Sequence, residues 1–337
     1  MHLRPFLLIL PLLLIALFSC SEIAEEKKNT VDYTINIIKK LDLGIPSGSG
    51  ITGYQNGFLT IGDDTPWLYY LDSTGTLTDS LRLSYVEGYV PGVRMGSSFK
   101  PDFECITRLN EKIVLVMGSG SYNQGRDTAY LVNGEERRIL AKKSLSPLFE
   151  RFAEMAGIDD VRKINIEGAV VAKHNIYFFN RGDLSGKSLI FKSDLSEFIA
   201  YFTSDDQINV SAMYPLTPYS DDYGPSTFSA CIYIPQRDVF VFTSTLEEGS
   251  RMDSNGVVID GDIKGSFLGR ISLDELNDSL VGAHPITEDG VISPIKLEGI
   301  WLYKVLSDSL FRFIGVSDPD NGGTESYIIE VRVNRLN

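Results

Sequence analysis

Lys163-Ile164-Asn165-Ile166-Glu167-Gly168-Ala169-Val170-Val171 decides the fold, because its shape recurs along the chain. The shape is a short apolar approach, a glutamate or small residue, and then a hydrophobic strand. It returns as Asp102-Phe103-Glu104-Cys105-Ile106 and Lys296-Leu297-Glu298-Gly299-Ile300, and more weakly as Gly48-Ser49-Gly50-Ile51 and Thr227-Phe228-Ser229-Ala230-Cys231-Ile232. Self-similarity at a fixed spacing marks a repeat architecture. Each copy therefore reads as the innermost strand of one repeating unit.

Outward from each copy come a turn, a second strand, a polar cluster and a third strand. The first repeat places Asn56-Gly57 between Ile51-Thr52-Gly53-Tyr54 and Phe58-Leu59-Thr60-Ile61, and Asn-Gly between such runs is a strong hairpin signal. Repeated antiparallel units of three or four strands predict an all-β β-propeller, in which radial repetition leaves only short edges. The copies start about 54 to 69 residues apart, longer than the roughly 40–50 of common propeller repeats. Five blades follow, or six if the weakly patterned segments 203–226 and 274–295 hide another. The strand at Tyr33–Leu43 is expected to close the ring on the last blade. Leu148, Phe149, Phe152 and Met155 predict one short helical insertion near 145–156. Repetition makes residues 33–337 a single domain.

The first 19 residues read as a secretory signal, with thirteen apolar residues from Phe6 to Phe18 after Arg4. That run is shorter than the roughly 20 residues a membrane helix needs. Leu17-Phe18-Ser19-Cys20 looks like the lipobox of bacterial lipoproteins. Acylation of Cys20 would anchor the protein to a membrane of the cell envelope, the outer membrane being expected, on its periplasmic side or at the surface. Residues 20–32 are then the lipidated cysteine and a polar tether. Removal of residues 1–19 leaves 30 basic against 45 acidic residues, a net charge of −15. Phosphate backbones repel such a protein, so nucleic acid is not an expected partner. Cys105 and Cys231 lie in apolar strands of non-neighbouring repeats and read as buried free thiols.

The two strands of a hairpin run in opposite directions, so the start of the first and the end of the second share one face of the disc. That rule gathers Glu104, Glu167, Glu298 and Asp318 around one mouth of the central channel as candidate metal ligands. It places Asp63, Asp64, Ser119, Ser121, Arg126 and Arg181 there as candidate ligand-binding residues. Converging carboxylates repel unless a cation or an arginine compensates them. Ca²⁺ accepts six to eight oxygens in irregular geometry, and Arg126 and Arg181 are the alternative counter-charges. The first and fourth repeats carry Gly50 and Ser229 in place of the glutamate. Asp318-Pro319-Asp320-Asn321-Gly322 is offset from the usual calcium-loop spacing and reads as a turn.

Lys100-Pro101-Asp102-Phe103-Glu104, Gly118-Ser119-Gly120-Ser121 with Arg126, Asn165-Ile166-Glu167-Gly168-Ala169, Asn180-Arg181-Gly182 and Leu297-Glu298-Gly299 together resemble a family of uncharacterised bacterial propeller lipoproteins. That family is in turn similar to the phytase-like esterase propellers. The resemblance implies the fold and, through the phytase-like relatives, calcium and phosphoester hydrolysis. The expected function is binding of a small-molecule or protein ligand through the channel-mouth face. The alternative is a calcium-dependent phosphoesterase or esterase.

Overall fold

The computed structural model describes residues 32–85, 89, 93–96, 99–121, 125–182, 185–204, 208–248, 251–252, 258–259, 262–277, 280–319 and 324–334. Cys20, the tether as far as residue 31, and Asp320 lie outside them. Among the described residues five sheets, largely antiparallel, form blades around a central channel, and Arg251–Met252 pairs with Val258–Ile259 in a separate two-stranded ribbon. Blade 1 pairs Gly48–Tyr54, Gly57–Gly62, Trp67–Leu71 and Leu77–Arg82 in that order. Blade 2 pairs Phe103–Arg108, Ile113–Gly118, Thr128–Asn133 and Arg138–Ser144. Blade 3 pairs Ile166–Ala172, Asn175–Asn180, Leu189–Asp194 and Ala212–Pro215. Blade 4 runs from Thr227–Ile234 through Val239–Glu247 and Ile263–Ser272 to Leu280–Pro285, extended in parallel by Thr217–Ser220.

Blade 5 is built from both ends of the domain. Leu297–Ser307, Leu310–Ser317 and Glu325–Asn334 are completed by Asp32–Asp42, whose residues pair from Asp32↔Asn334 to Asp42↔Glu325. The ring closes as expected, and each innermost strand packs against the next around the circle.

Strand alternation accounts for the core. Successive side chains point to opposite faces of a strand, and both faces of each blade are covered by a neighbour. In the second strand of blade 2, Val114 and Val116 join Ile61 and Leu68 of blade 1, whereas Leu115 and Met117 join Ile176 and Phe178 of blade 3. Three further apolar clusters fill the spaces between blades 3 and 4, 4 and 5, and 5 and 1. Five blade interfaces require five clusters.

Helix α1 (Ser146–Ala156) carries Pro147 in its first turn and buries Leu148, Phe149, Phe152, Ala153 and Ala156 on one stripe. It ends at Gly157, where φ is 60°, a left-handed conformation that glycine adopts without steric cost. Helix α2 (Leu195–Tyr201) is capped by Asp194, whose carboxylate accepts from the Ser196 and Glu197 amides. It buries Phe198 and Tyr201 against blade 3, in a stretch where the sequence pattern announces no helix.

Candidate channel-mouth site

Every innermost strand carries a β-bulge at the same place. In blades 1 to 5 the register skips Ser49, Glu104, Glu167, Ser229 and Glu298. A bulge leaves one residue unpaired, bends the strand and re-aims that side chain. The repeated motif is thus a device that turns five residues, one per blade, out of the sheet ladder. The residue of blade 1 equivalent to the glutamates is Ser49; the expectation of Gly50 is off by one, since Ser49-Gly50-Ile51 stands in register with Glu298-Gly299-Ile300.

A bulge also disrupts the ladder around it, and the neighbouring blade engages the same backbone. In all three glutamate blades the carbonyl immediately before the glutamate accepts a hydrogen bond from the preceding blade. Ser49 Oγ donates to the Phe103 carbonyl. Cys105 Sγ lies 3.4 Å from the Ile166 carbonyl and Thr243 Oγ1 3.2 Å from that of Leu297. The Cys105 thiol thereby joins blade 2 to blade 3. Both cysteines are free, as expected, and burial raises both thiol pKa values well above the ordinary range.

Below the mouth the channel narrows. Gly50, Gly168 and Gly299 sit where a Cβ would come within 2.9 Å of Ile106 Cγ2, Cys231 Sγ and the Ile51 amide. This throat, lined by Glu104, Glu167 and Glu298 above the small residues, encloses about 20 Å³, room for one water molecule or one ion. An organic ligand is too large to enter this throat.

The acidic groups of the mouth come with basic partners, many of them on the connections between blades. Arg181 Nη1 lies 3.2 Å from Glu167 Oε1, and its Nη2 lies 2.7 Å from Glu247 Oε1 of blade 4. Asn165 donates to Glu167 at 2.9 Å. Lys296 Nζ lies 2.8 Å from Glu298 Oε1. Arg94 joins Asp64 at 2.5 Å and reaches Asp318 at 3.9 Å. Lys100 pairs with Asp63 and stands 2.9 Å from Asp102 Oδ1, to which Arg126 Nη1 comes within 3.2 Å. Ser119 and Ser121 donate to the other oxygen of Asp102.

Glu104 differs from the rest. Among the described residues it makes no hydrogen bond or ion pair, and its Oε2 is buried without a partner. Burial first, then the charges of Glu167, Glu298, Asp102 and Asp63, push its carboxyl well above the usual range. Burial also raises Glu298, with Lys296 opposing and Asp318 and Glu167 reinforcing. Burial works against ionised Asp102 too, but Lys100, Arg126 and Ser119 outweigh it and hold that carboxyl below its ordinary value. Burial and the neighbouring Asp63 raise Asp64.

The structure thus brings all the expected residues to one face, but groups them differently. Ser119 and Ser121 serve Asp102 rather than Glu104. Ligand atoms of Asp63, Asp102 and Glu104 lie within 4.8 Å of one another, a set that shares only Glu104 with the four expected metal ligands. Asp102, Lys100, Arg94, Lys296 and Glu247 are further members that motif reading did not single out. Asp102 and Lys100 stand in the quoted Lys100–Glu104 motif and Lys296 two residues before Glu298, so proximity to the repeat was the available signal.

The model of a family of unknown function, DUF6929, matches residues 44–333. A search of curated proteins gives no match. Among solved structures, the tail fibre of Staphylococcus aureus phage P68 is 10% identical with a TM-score of 0.42, over 91% of this chain and 54% of the fibre. The chain therefore spans about half of that protein. A DUF4221 family member from Bacteroides vulgatus is 9% identical with a TM-score of 0.41, over 91% of this chain and 100% of that one. A protein of unknown function from Dyadobacter fermentans is 8% identical with a TM-score of 0.39, over 89% and 99%. Likenesses at this level add nothing to what the strand pairing shows.

Proposed function

The chain belongs to the DUF6929 family of unknown function, and we propose that it is an envelope-associated binding propeller whose ligand site is the channel mouth. In this reading the polypeptide is tethered through acylated Cys20, and a calcium ion at Glu104 is part of the site. The observation that carries it is Glu104 itself, a part-buried ring carboxylate that makes no ion pair among the described residues and whose Oε2 is buried without a partner. Leaving a charge buried and unpaired is costly, so such a group either keeps a proton or recruits a cation. The donor set suits calcium. Asp63, Asp102 and Glu104 offer hard oxygens within reach of one another, and Asp63 Oδ1 and Glu104 Oε2 are both buried without partners. Water would complete the six to eight oxygens that calcium takes.

The phosphoesterase reading draws on the same ion, with Arg126 and Arg181 as anion-binding groups. Arg126 is committed to Asp102 and Ser121, and Arg181 to Glu167 and Glu247. Binding a phosphoryl group would mean breaking buried ion pairs, so the geometry supports binding over turnover. Calorimetry with CaCl₂ on the protein and on Glu104→Gln tests the proposal. Binding by the wild type that Glu104→Gln abolishes is expected; calcium binding unaffected by the substitution would overturn it. Chelator-sensitive hydrolysis of a phosphoester would replace it with the enzymatic reading.

A further inference from the structure

We infer that Lys100 is the specificity determinant of the calcium site, a tethered monovalent cation that a divalent ion must displace. The inference rests on the cation reading above and adds to it what decides which ions enter.

The geometry is a matter of shared oxygens. Asp63 and Asp102 belong to the three-carboxylate group whose ligand atoms fall within 4.8 Å. Lys100 Nζ is hydrogen-bonded to Asp63 and stands 2.9 Å from Asp102 Oδ1, with its side chain only 17% exposed. An ion bound by these carboxylates takes the place the ammonium holds. Lys100 and Arg126 already share Asp102 Oδ1, and a divalent ion added beside both would meet repulsion of several kcal/mol at the effective dielectric of a protein site.

Two oxygens of the cluster are buried without partners. Asp63 is 6% exposed, yet its Oδ1 has no partner while Oδ2 holds Lys100. Glu104 Oε2 is likewise buried and unpartnered. The lysine therefore satisfies only part of the cluster.

Charge then selects the occupant. With Lys100 in place, three carboxylates face the cations Lys100 and Arg126. Exchange of Lys100 for a divalent ion supplies one more positive charge and uses the idle oxygens. Exchange for Na⁺ or K⁺ supplies no additional charge and loses the covalent tether that holds the lysine at high local concentration. The site therefore rejects monovalent ions.

Lys100 is also placed to leave. It lies on the connection between blades 1 and 2, four residues after Gly96, and its neighbour Phe99 is 74% exposed. The ends of this connection stay fixed without it. The Met95 amide donates to the Asp64 carbonyl at 3.1 Å and the Asp102 amide to that of Asp63 at 2.9 Å.

The experiment measures calcium affinity of the full chain by calorimetry for the wild type, Lys100→Met and Lys100→Arg, with melting curves in calcium and in chelator. Lys100→Met should bind calcium at least about tenfold more tightly, since a buried ion pair no longer has to be broken. It should also melt earlier in chelator and recover in calcium. Lys100→Arg, which keeps the charge, should not tighten binding. Wild-type binding that Lys100→Met leaves equal or weaker overturns the inference and leaves the cation site standing. Binding by neither protein removes both. Binding by Lys100→Met alone would show that the lysine closes the site to calcium in the wild type, and would overturn both the displacement inference and the calcium reading. Should Lys100→Met fail to fold, wild-type binding that 150 mM KCl competes away at constant ionic strength, against choline chloride, overturns monovalent rejection directly.

Discussion

Blades 1 and 4 present a serine at the bulge where blades 2, 3 and 5 present a glutamate, on the same backbone device. Ser49 hydrogen-bonds the carbonyl of Phe103 in blade 2, and Ser229 bonds Thr245 in its own blade at 2.8 Å. Their hydroxyls are spent inside the fold. The glutamates instead bring charge to the channel, where each meets a different fate. Glu167 is locked to Arg181, Glu298 to Lys296, and Glu104 to neither hydrogen bond nor ion pair among the described residues. The comparison teaches that the bulge only aims a side chain; the basic residue supplied by an adjoining loop, within the blade for Glu167 and before it for Glu298, decides whether the charge is structural or available.

The largest effect is expected where a structural charge is stripped of its partner. Arg181→Met leaves Glu167 buried without its guanidinium and cuts the tie to Glu247 of blade 4. Removal of one member of a buried ion pair typically costs about 3–5 kcal/mol, so urea denaturation at neutral pH should show a loss in that range. Adding Glu167→Gln should restore part of it, because the stranded charge is then gone. A double variant no more stable than Arg181→Met alone would mean that the Glu247 contact carries the stability.

Glu104→Gln should act in the opposite direction, since it strands no partner. The Glu104 carboxyl is raised in the fold relative to the unfolded chain, where a glutamate titrates near pH 4.3. For a raised acid the stabilising contribution is complete below the unfolded value and is lost as pH rises through the folded one. In calcium-free buffer at neutral pH the variant should therefore melt about 2 °C or more above the wild type. The gap should close below about pH 4, where both states hold the proton. Asp102 works in the other sense. Held below its ordinary value, it contributes stability above an unfolded pKa near 3.9, lost as pH falls through its folded value. Loss of that pairing contributes to acid destabilisation, so Asp102→Asn should lessen the fall of stability on the acid side.

The same contrast shows how much could be read before the coordinates. The fold was visible because its strands are buried on both faces, which makes runs such as Ile113-Val114-Leu115-Val116 continuous, and because each starts a recognisable distance from a glutamate or serine. Helix α2 was hidden by its length: seven residues make two turns, too few for a 3.6-residue period to show. The outer strands of blades 3 and 4 were hidden because Ala212–Pro215 and Thr217–Ser220 are four residues each, and the latter pairs in parallel with Leu280–Pro285. In the site, Glu104, Glu167 and Glu298 stand at repeat positions and could be placed by spacing. Lys100 and Arg94 sit on connections, where no periodicity fixes direction, so their pairing with Asp63, Asp102 and Asp64 was not legible.

The smallest effect should come from the latches that hold the glutamate bulges. Ser49→Ala removes one hydroxyl and leaves the Phe103 carbonyl without its inter-blade donor. A lost hydrogen bond of this kind costs about 1 kcal/mol, a modest change in the denaturation midpoint. Phe103 directly precedes Glu104, so the latch of a serine blade sets the aim of the one available glutamate. Calcium affinity should therefore fall together with stability in Ser49→Ala. Ser229→Ala, whose hydroxyl stays within blade 4, should lose stability without changing affinity. Equal responses of the two variants in calorimetry would show that the aim of Glu104 is held by its own strand, and that the Ser49 latch has no part in it.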